Sequence, residues 1–198
     1  MSAGKTPASP SLDALTTAAR GAGGKGLPPV HLWNPAYCGE IDMRIAADGT
    51  WFYNGTPIGR PALVRLFSTI LRKDPERYVL VTPVERVGIV VEDVPFVAVE
   101  MAIEGEGASR VIRFRTNVDD WTVVNEKHPL RFEREPTEGL RPYVLVRGDL
   151  WARVNRAVFY DLVELGEEQD TPEGRRFGIA SGGTFFPMAD AAEIEGLA

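Results

Sequence analysis

Ile41, Met43 and Ile45 alternate with Asp42, Arg44 and Ala46, and Asp48-Gly49 follows at once. An apolar residue at every second position turns one face of an extended strand to a core and the other to solvent. Asp-Gly adopts the left-handed backbone of a two-residue hairpin turn at low cost. Trp51-Phe52-Tyr53 is therefore expected to return antiparallel, with Asn54-Gly55 as a second turn. A chain that opens its ordered part this way is committed to antiparallel sheet.

The same pattern recurs downstream. Strands are expected over 78–81, 87–91, 96–103, 111–115, 121–124, 131–132 and 143–146, with a closing hairpin of 179–180 and 185–186. In the fourth of these, Val111, Arg113 and Arg115 share one face, and Ile112 and Phe114 the other. Helical periodicity interrupts twice. After Pro61, a favoured first helical residue, Leu63, Leu66, Phe67 and Ile70 form an apolar stripe. Arg72 and Lys73 suit the negative end of a helix dipole, and Pro75 stops it, so the spacing predicts a helix over about 61–73. A second helix, over about 150–165, is predicted from Asp149 as N-cap, from Val154, Val158, Phe159, Leu162 and Val163, and from Gly166 as stop.

The two halves repeat. Gly55 and Gly148, Arg60 and Arg153, Phe67 and Tyr160, and Ile70 and Val163 all stand at one common offset, each set followed by a strand. The fold class expected is α+β: two sequential units related by duplication, mostly antiparallel sheet, one main helix each. The expected boundaries are a disordered or strap-like tail over 1–29, an N-terminal α+β domain over 30–84 and a C-terminal domain over 85–198. The tail is rich in Ala, Gly, Ser, Thr and Pro. Leu12, Leu15 and Leu27 are the only large aliphatics of the tail after Met1, so residues 11–20 can form a short helix but have little to bury.

Composition excludes several functions. Of 198 residues, 44% are hydrophobic and 25% charged, which supports a packed core. A formal net charge of −6 argues against double-stranded nucleic acid, whose backbone demands a basic surface. A single cysteine, Cys38, forms no internal disulfide and fits a reducing cytoplasm. No apolar run approaches the ~20 residues that cross a bilayer, so no membrane insertion is expected.

Few motifs carry chemistry. The run from Gly21 to Gly26 looks like a phosphate loop but lacks a preceding strand and a hydroxyl residue after Lys25. His31, His128 and Cys38 show no metal-ligand spacing, so neither metal nor cofactor is expected. A serine-hydrolase elbow needs glycine two residues before Ser181, where Ile179 stands. Asp119-Asp120 and the charges from Glu133 to Glu135 are simplest as solvated loop charges. Arg60 and Arg153 are more informative. Each is expected beside a helix N-terminus, where a cation opposes the dipole. Either a carboxylate such as Glu85 or Asp93 compensates it, or a bound anion does.

Taken in order, Cys38-Gly39, Asp48-Gly49-Thr50-Trp51, Pro57-Ile58-Gly59-Arg60, Leu66-Phe67-Ser68, Thr82-Pro83-Val84-Glu85, Glu92-Asp93-Val94-Pro95-Phe96, Thr116-Asn117, Pro129-Leu130, Arg141-Pro142-Tyr143 and Ser181-Gly182 resemble a bacterial family, domain of unknown function 1285. The resemblance spans roughly residues 30–190; the Gly/Ala-rich tail departs from it. It implies a duplicated two-part fold and a C-terminal part similar to pleckstrin-homology domains. It also implies a groove between the parts that binds a ligand, a nucleotide in signalling, and it carries no established reaction.

The function expected is a non-enzymatic, cytoplasmic ligand-binding protein that holds an anionic, nucleotide-like small molecule between its two domains. The expected ligand-binding residues are Arg60, Thr82, Pro83, Glu85, Arg153, Ser181 and Gly182. Arg113 and Arg115 would add positive potential, and Trp51 or Trp151 a stacking face for a base. The alternatives are a module for a protein partner, or an enzyme acting through Cys38 or a carboxylate pair.

Overall fold

The structure, a computed structural model, describes residues 11–22, 26–135 and 139–192. It divides into two units, Met1–Pro95 and Phe96–Ala198.

The first unit is a six-stranded sheet with two helices. Its strands are β1 (Tyr37–Ile45), β2 (Trp51–Tyr53), β3 (Thr56–Pro57), β4 (Leu71–Lys73), β5 (Tyr78–Val81) and β6 (Arg86–Val91). They lie in the order β3-β2-β1-β6-β5-β4. The alternation read from sequence sets β1: Ile41, Met43 and Ile45 are buried and the residues between them are not. Asn54 and Gly55 both have positive φ, 48° and 72°, the backbone of a tight β2–β3 turn. Glu92 locks the Asp48-Gly49 hairpin, accepting from the Ala47 N–H at 2.9 Å and from Arg44.

Helix α1 (Leu12–Ala22) and helix α2 (Pro61–Thr69) pack together. Leu15 and Ala19 are fully buried, so part of the expected tail is an ordered helix whose one apolar edge finds a partner. Phe67 of α2 is likewise fully buried, its ring stacked on that of Trp51 at 6.4 Å between centroids. Full burial of such a side chain contributes roughly 1.5–3 kcal/mol.

The second unit repeats the sheet. Its strands are β7 (Phe96–Glu104), β8 (Val111–Thr116), β9 (Trp121–Val123), β10 (Leu130–Glu135), β11 (Gly139–Arg147) and β12 (Leu150–Val154). Their order, β10-β11-β12-β7-β8-β9, is the order of the first sheet read from the other edge. In both sheets two three-stranded meanders meet at a parallel pair, β1 with β6 and β7 with β12. Two units of one topology are what a duplication produces. Helix α3 (Arg156–Val163) and a three-stranded sheet of β13 (Glu167–Thr171), β14 (Gly174–Ser181) and β15 (Thr184–Asp190) follow.

Several expectations are corrected. The boundary at 84/85 moves to 95/96, because β6 is hydrogen-bonded between β1 and β5. The repeat holds, but its register does not. Gly55 turns between β2 and β3, Gly148 between β11 and β12, so the two glycines are not equivalent. Gly148 and Asp149 also have positive φ, 46° and 61°, so one hairpin chemistry recurs at unrelated places. The first helix ends at Thr69, and Arg72 and Lys73 belong to β4. There Arg72 donates to the carbonyls of Val30 and Trp33 at 2.8 and 2.6 Å and to Asp74 at 2.7 Å. The second helix starts later, because residues 150–154 form β12 and its cap is Asn155, which accepts from the Val158 N–H at 2.9 Å. Among the described residues no helix is long and apolar enough to cross a membrane.

Candidate functional site

Arg60 is the residue before α2, with extended backbone and no side-chain cap for the helix. A cleft of about 700 Å³ opens there, lined by Asp13, Thr16 and Arg20 of α1, by Tyr53 and Thr56, and by Arg60 itself. Ile58, Leu63 and Leu66 supply an apolar wall. Among the described residues neither Arg20 nor Arg60 has a carboxylate in ion-pair range. Glu85 and Asp93, the sequence's candidate partners for Arg60, are not among the residues of this cleft. Asp13 brings one negative charge against the two guanidiniums.

Arg153 lies elsewhere. It is on β12, opposite Tyr143 and Val97, not at a helix start as expected. It lines a separate cleft of about 390 Å³ within the second unit, with Arg141, Arg156 and Phe159. Each arginine thus has a cleft built wholly from its own unit.

The remaining expected residues line neither of these two clefts. Thr82 is fully buried, and its hydroxyl accepts from the Val84 and Glu85 N–H groups at 3.4 and 3.2 Å, forming the β5–β6 turn. Pro83 is exposed on that turn. Burial pushes the Glu85 carboxyl up from its ordinary range. The Ser181 hydroxyl accepts from the Ile112 N–H and donates to the Val124 carbonyl, both at 2.8 Å. Gly182 has φ 57°, and a Cβ there would stand 2.9 Å from the Val124 carbonyl oxygen. Its N–H, far from being an open anion donor, is given to the Arg110 carbonyl at 3.0 Å.

Two further expectations change. Trp51 is only 1% exposed and offers no stacking face to a ligand. Trp151 is covered by Arg131, whose guanidinium carbon is 4.2 Å from its ring centre. Arg113 and Arg115 do share a face, but their charge is matched by Glu104, Glu100 and Asp119. Arg20 and Asp13, which sequence reasoning missed, reach the site only because α1 docks on α2. Cys38 lies on β1, its thiol 3.5 Å from the Ala36 carbonyl oxygen. His128 Nδ1 is 3.1 Å from the Leu145 carbonyl oxygen. Among the described residues no group of three or more His, Cys, Asp or Glu is placed to hold a metal ion. Residues 23–25 of the glycine-rich run lie outside the described residues.

Comparison with known proteins decides the family. Residues 28–94 match the DUF1285 N-terminal domain, described as a domain of unknown function, and residues 95–188 match the C-terminal domain of the same family. The chain belongs to the DUF1285 family. A solved DUF1285 protein from Silicibacter pomeroyi is 49% identical over 95% of this chain and all of that one, with a TM-score of 0.86. A second DUF1285 structure, from Shewanella baltica, is 28% identical, with a TM-score of 0.50 over 63% of this chain and 91% of that one. No curated protein matches the chain. The two DUF1285 domain matches meet where the structure divides, between 94 and 96.

Proposed function

We propose that the chain is a non-enzymatic ligand-binding protein whose first unit holds an anionic, nucleotide-like small molecule in the cleft at the start of α2. The observation that carries this is the pair Arg20 and Arg60, which line one cleft without a carboxylate in ion-pair range among the described residues. Arg60 stands at the positive end of α2, a placement that costs a few tenths of a kcal/mol. An oxyanion in the cleft would reverse that cost, taking charge-assisted hydrogen bonds from the guanidiniums and from the first helical N–H groups. Asp13 offers an acceptor for an amino or imino group of the same ligand, and Tyr53, Leu63 and Leu66 offer apolar surface for a ring. A cleft of about 700 Å³ is within the usual range of small-molecule sites.

A ligand shared between the two units, the form expected from sequence, has less support. Its hydroxyls, those of Thr82 and Ser181, are already engaged in a turn and in a core. We keep the pleckstrin-homology likeness of the second unit, a role in signalling and a cytoplasmic location within this proposal. Antiparallel meanders followed by one helix support the first, and the single cysteine the last.

The test is a thermal-shift screen of the purified chain against nucleotides and other anionic metabolites, followed by titration calorimetry. A ligand at a hundredfold excess over its dissociation constant adds about 2.7 kcal/mol, which is readily detected. Arg60→Ala and Arg20→Ala should each weaken a hit by about 1.5–3 kcal/mol. Unchanged affinity in both folded variants would overturn the site.

A further inference from the structure

A third cleft lies against the small sheet of β13, β14 and β15, wholly within the second unit. Strand side chains alternate, so Glu167 and Gln169 of β13 share one face. Glu167 stands opposite Gly178 of β14, and Ala180, two residues on, stands opposite Phe185 of β15. Glu167, Ala180 and Phe185 therefore turn to that same face, while Ile179 and Phe186 turn to the other and are buried. Arg110 joins them from the turn made by Gly107–Ser109. Its Nε donates to the Ala180 carbonyl at 3.1 Å, and its own carbonyl accepts from the Gly182 N–H at 3.0 Å. The guanidinium also pairs with one oxygen of Glu167 at 3.2 Å, and Gln169 Nε2 donates to the other at 2.7 Å.

Arg110, Glu167 and Gln169 thus form one hydrogen-bonded row beside a space of about 350 Å³. These bonds use two of the five N–H donors of a guanidinium, one on Nε and one at the end of the fork. A carboxylate oxygen accepts more than one bond, so each oxygen of Glu167 keeps a free lone pair, and the Gln169 carbonyl is a further acceptor. The guanidinium and the carboxylate are the charged groups of the lining and cancel each other. Donors and acceptors therefore stand side by side without net charge. Phe185 is half-buried, and its ring leans over Gly178, 2.7 Å from where a Cβ would stand. Thr184 adds a hydroxyl to the lining. Ser181 lines the cleft too, but its hydroxyl is engaged by Ile112 and Val124.

We propose that this cleft is a second, independent site, for a small uncharged aromatic carboxamide. The carbonyl of the carboxamide accepts from Arg110, and its N–H donates to Glu167 or Gln169, so the amide edge meets a donor and an acceptor together. Bonds to the guanidinium and to the carboxylate are charge-assisted. The ring lies against Phe185 and covers its open apolar surface. A carboxylate ligand would meet Arg110 but be repelled by Glu167, and an ammonium ligand would face the reverse, which selects the neutral form. The volume is near the small end of ligand clefts, which fits one ring and its amide group.

Benzamide is the probe, titrated into the full chain and followed by amide chemical shifts and calorimetry. Benzoate and benzylamine carry the same ring with a negative and a positive charge. Saturable benzamide binding is expected, about tenfold or more tighter than that of either charged analogue. The shifts should centre on residues 167–169 and 180–185. Glu167→Gln should weaken binding about tenfold, the loss of one charged contact. Phe185→Leu should weaken it about threefold or more, the loss of the ring face. Gln169→Ala lies on an edge strand and should also weaken binding, which keeps the test decisive if Glu167→Gln disturbs Arg110. Arg60→Ala, in the first unit, should leave binding unchanged, which separates this site from the one proposed above. Benzoate or benzylamine binding as tightly as benzamide would overturn the proposal. So would the absence of saturable benzamide binding at millimolar concentration, equal binding in all three cleft variants, or loss of binding in Arg60→Ala.

Discussion

The hydroxyl of Ser181 accepts the backbone N–H of Ile112 at 2.8 Å, across 69 residues of chain. The same hydroxyl donates to the Val124 carbonyl, so one side chain joins β14 to the start of β8 and to the segment after β9. Ser181 is 2% exposed, and water cannot replace it. Ser181→Ala should therefore cost about 2–4 kcal/mol, from two buried backbone groups left unpaired. Urea unfolding measures this. Ligand binding in the cleft at the start of α2 should be unaffected, which separates a core role from the binding role expected from sequence.

Gly178 faces the Phe185 ring and, closer still, backbone that cannot swing away. A Cβ there would stand 2.3 Å from the Phe186 carbonyl oxygen and 2.9 Å from Pro187 Cα. The paired strand β15 cannot retreat without breaking its ladder, so Gly178→Ala should cost about 2–3 kcal/mol. Gly21, in α1, has nothing within 4 Å of its would-be Cβ. Gly21→Ala should instead stabilise by about 0.5 kcal/mol through helix propensity. Thermal melts of the two variants should move in opposite directions.

Leu15 is the anchor of α1, with no exposed surface. Leu15→Ala should cost about 2–3 kcal/mol. Because Asp13, Thr16 and Arg20 reach the first cleft on this helix, the same variant should weaken any ligand of that cleft. Calorimetry of that ligand on the variant, beside its thermal melt, checks this.

Glu92 gives the acid response a sign. The Ala47 N–H, and then the Arg44 guanidinium, hold its carboxyl below the ordinary value of 4.5. A carboxyl whose folded pKa is depressed stabilises the fold above its unfolded pKa, and the contribution is lost as pH falls through the folded value. The stability difference between the wild type and Glu92→Gln should shrink as pH drops below 4.5. Glu85 acts in the opposite sense. Burial raises its carboxyl, so its contribution is present below 4.5 and is lost as pH rises through the folded value. Glu85→Gln should therefore gain stability relative to the wild type as pH rises past that range. Denaturant midpoints at several pH values resolve both.

Local chemistry by itself determined the hairpins. The alternation in 41–45, the Asp48-Gly49 and Asn54-Gly55 turns and the faces of 111–115 appear as written, since side-chain period and backbone φ are set by near neighbours. The family was legible too, because its motifs are spread along the chain in order. Strands without such a signature were not legible. Glu167–Thr171 carries no apolar alternation and is a strand only because β14 supplies its hydrogen bonds. Leu150–Val154 contributes apolar residues to a helical stripe and to a strand alternation alike, and pairing with β7 and β11 selects the strand. That selection moves Arg153 from a helix start to a sheet face, and with it the site. Turn chemistry is the same wherever a tight hairpin closes, so Gly55 and Gly148 look equivalent in sequence. Only long-range strand pairing, whose partners are distant along the chain, decides which turn is which.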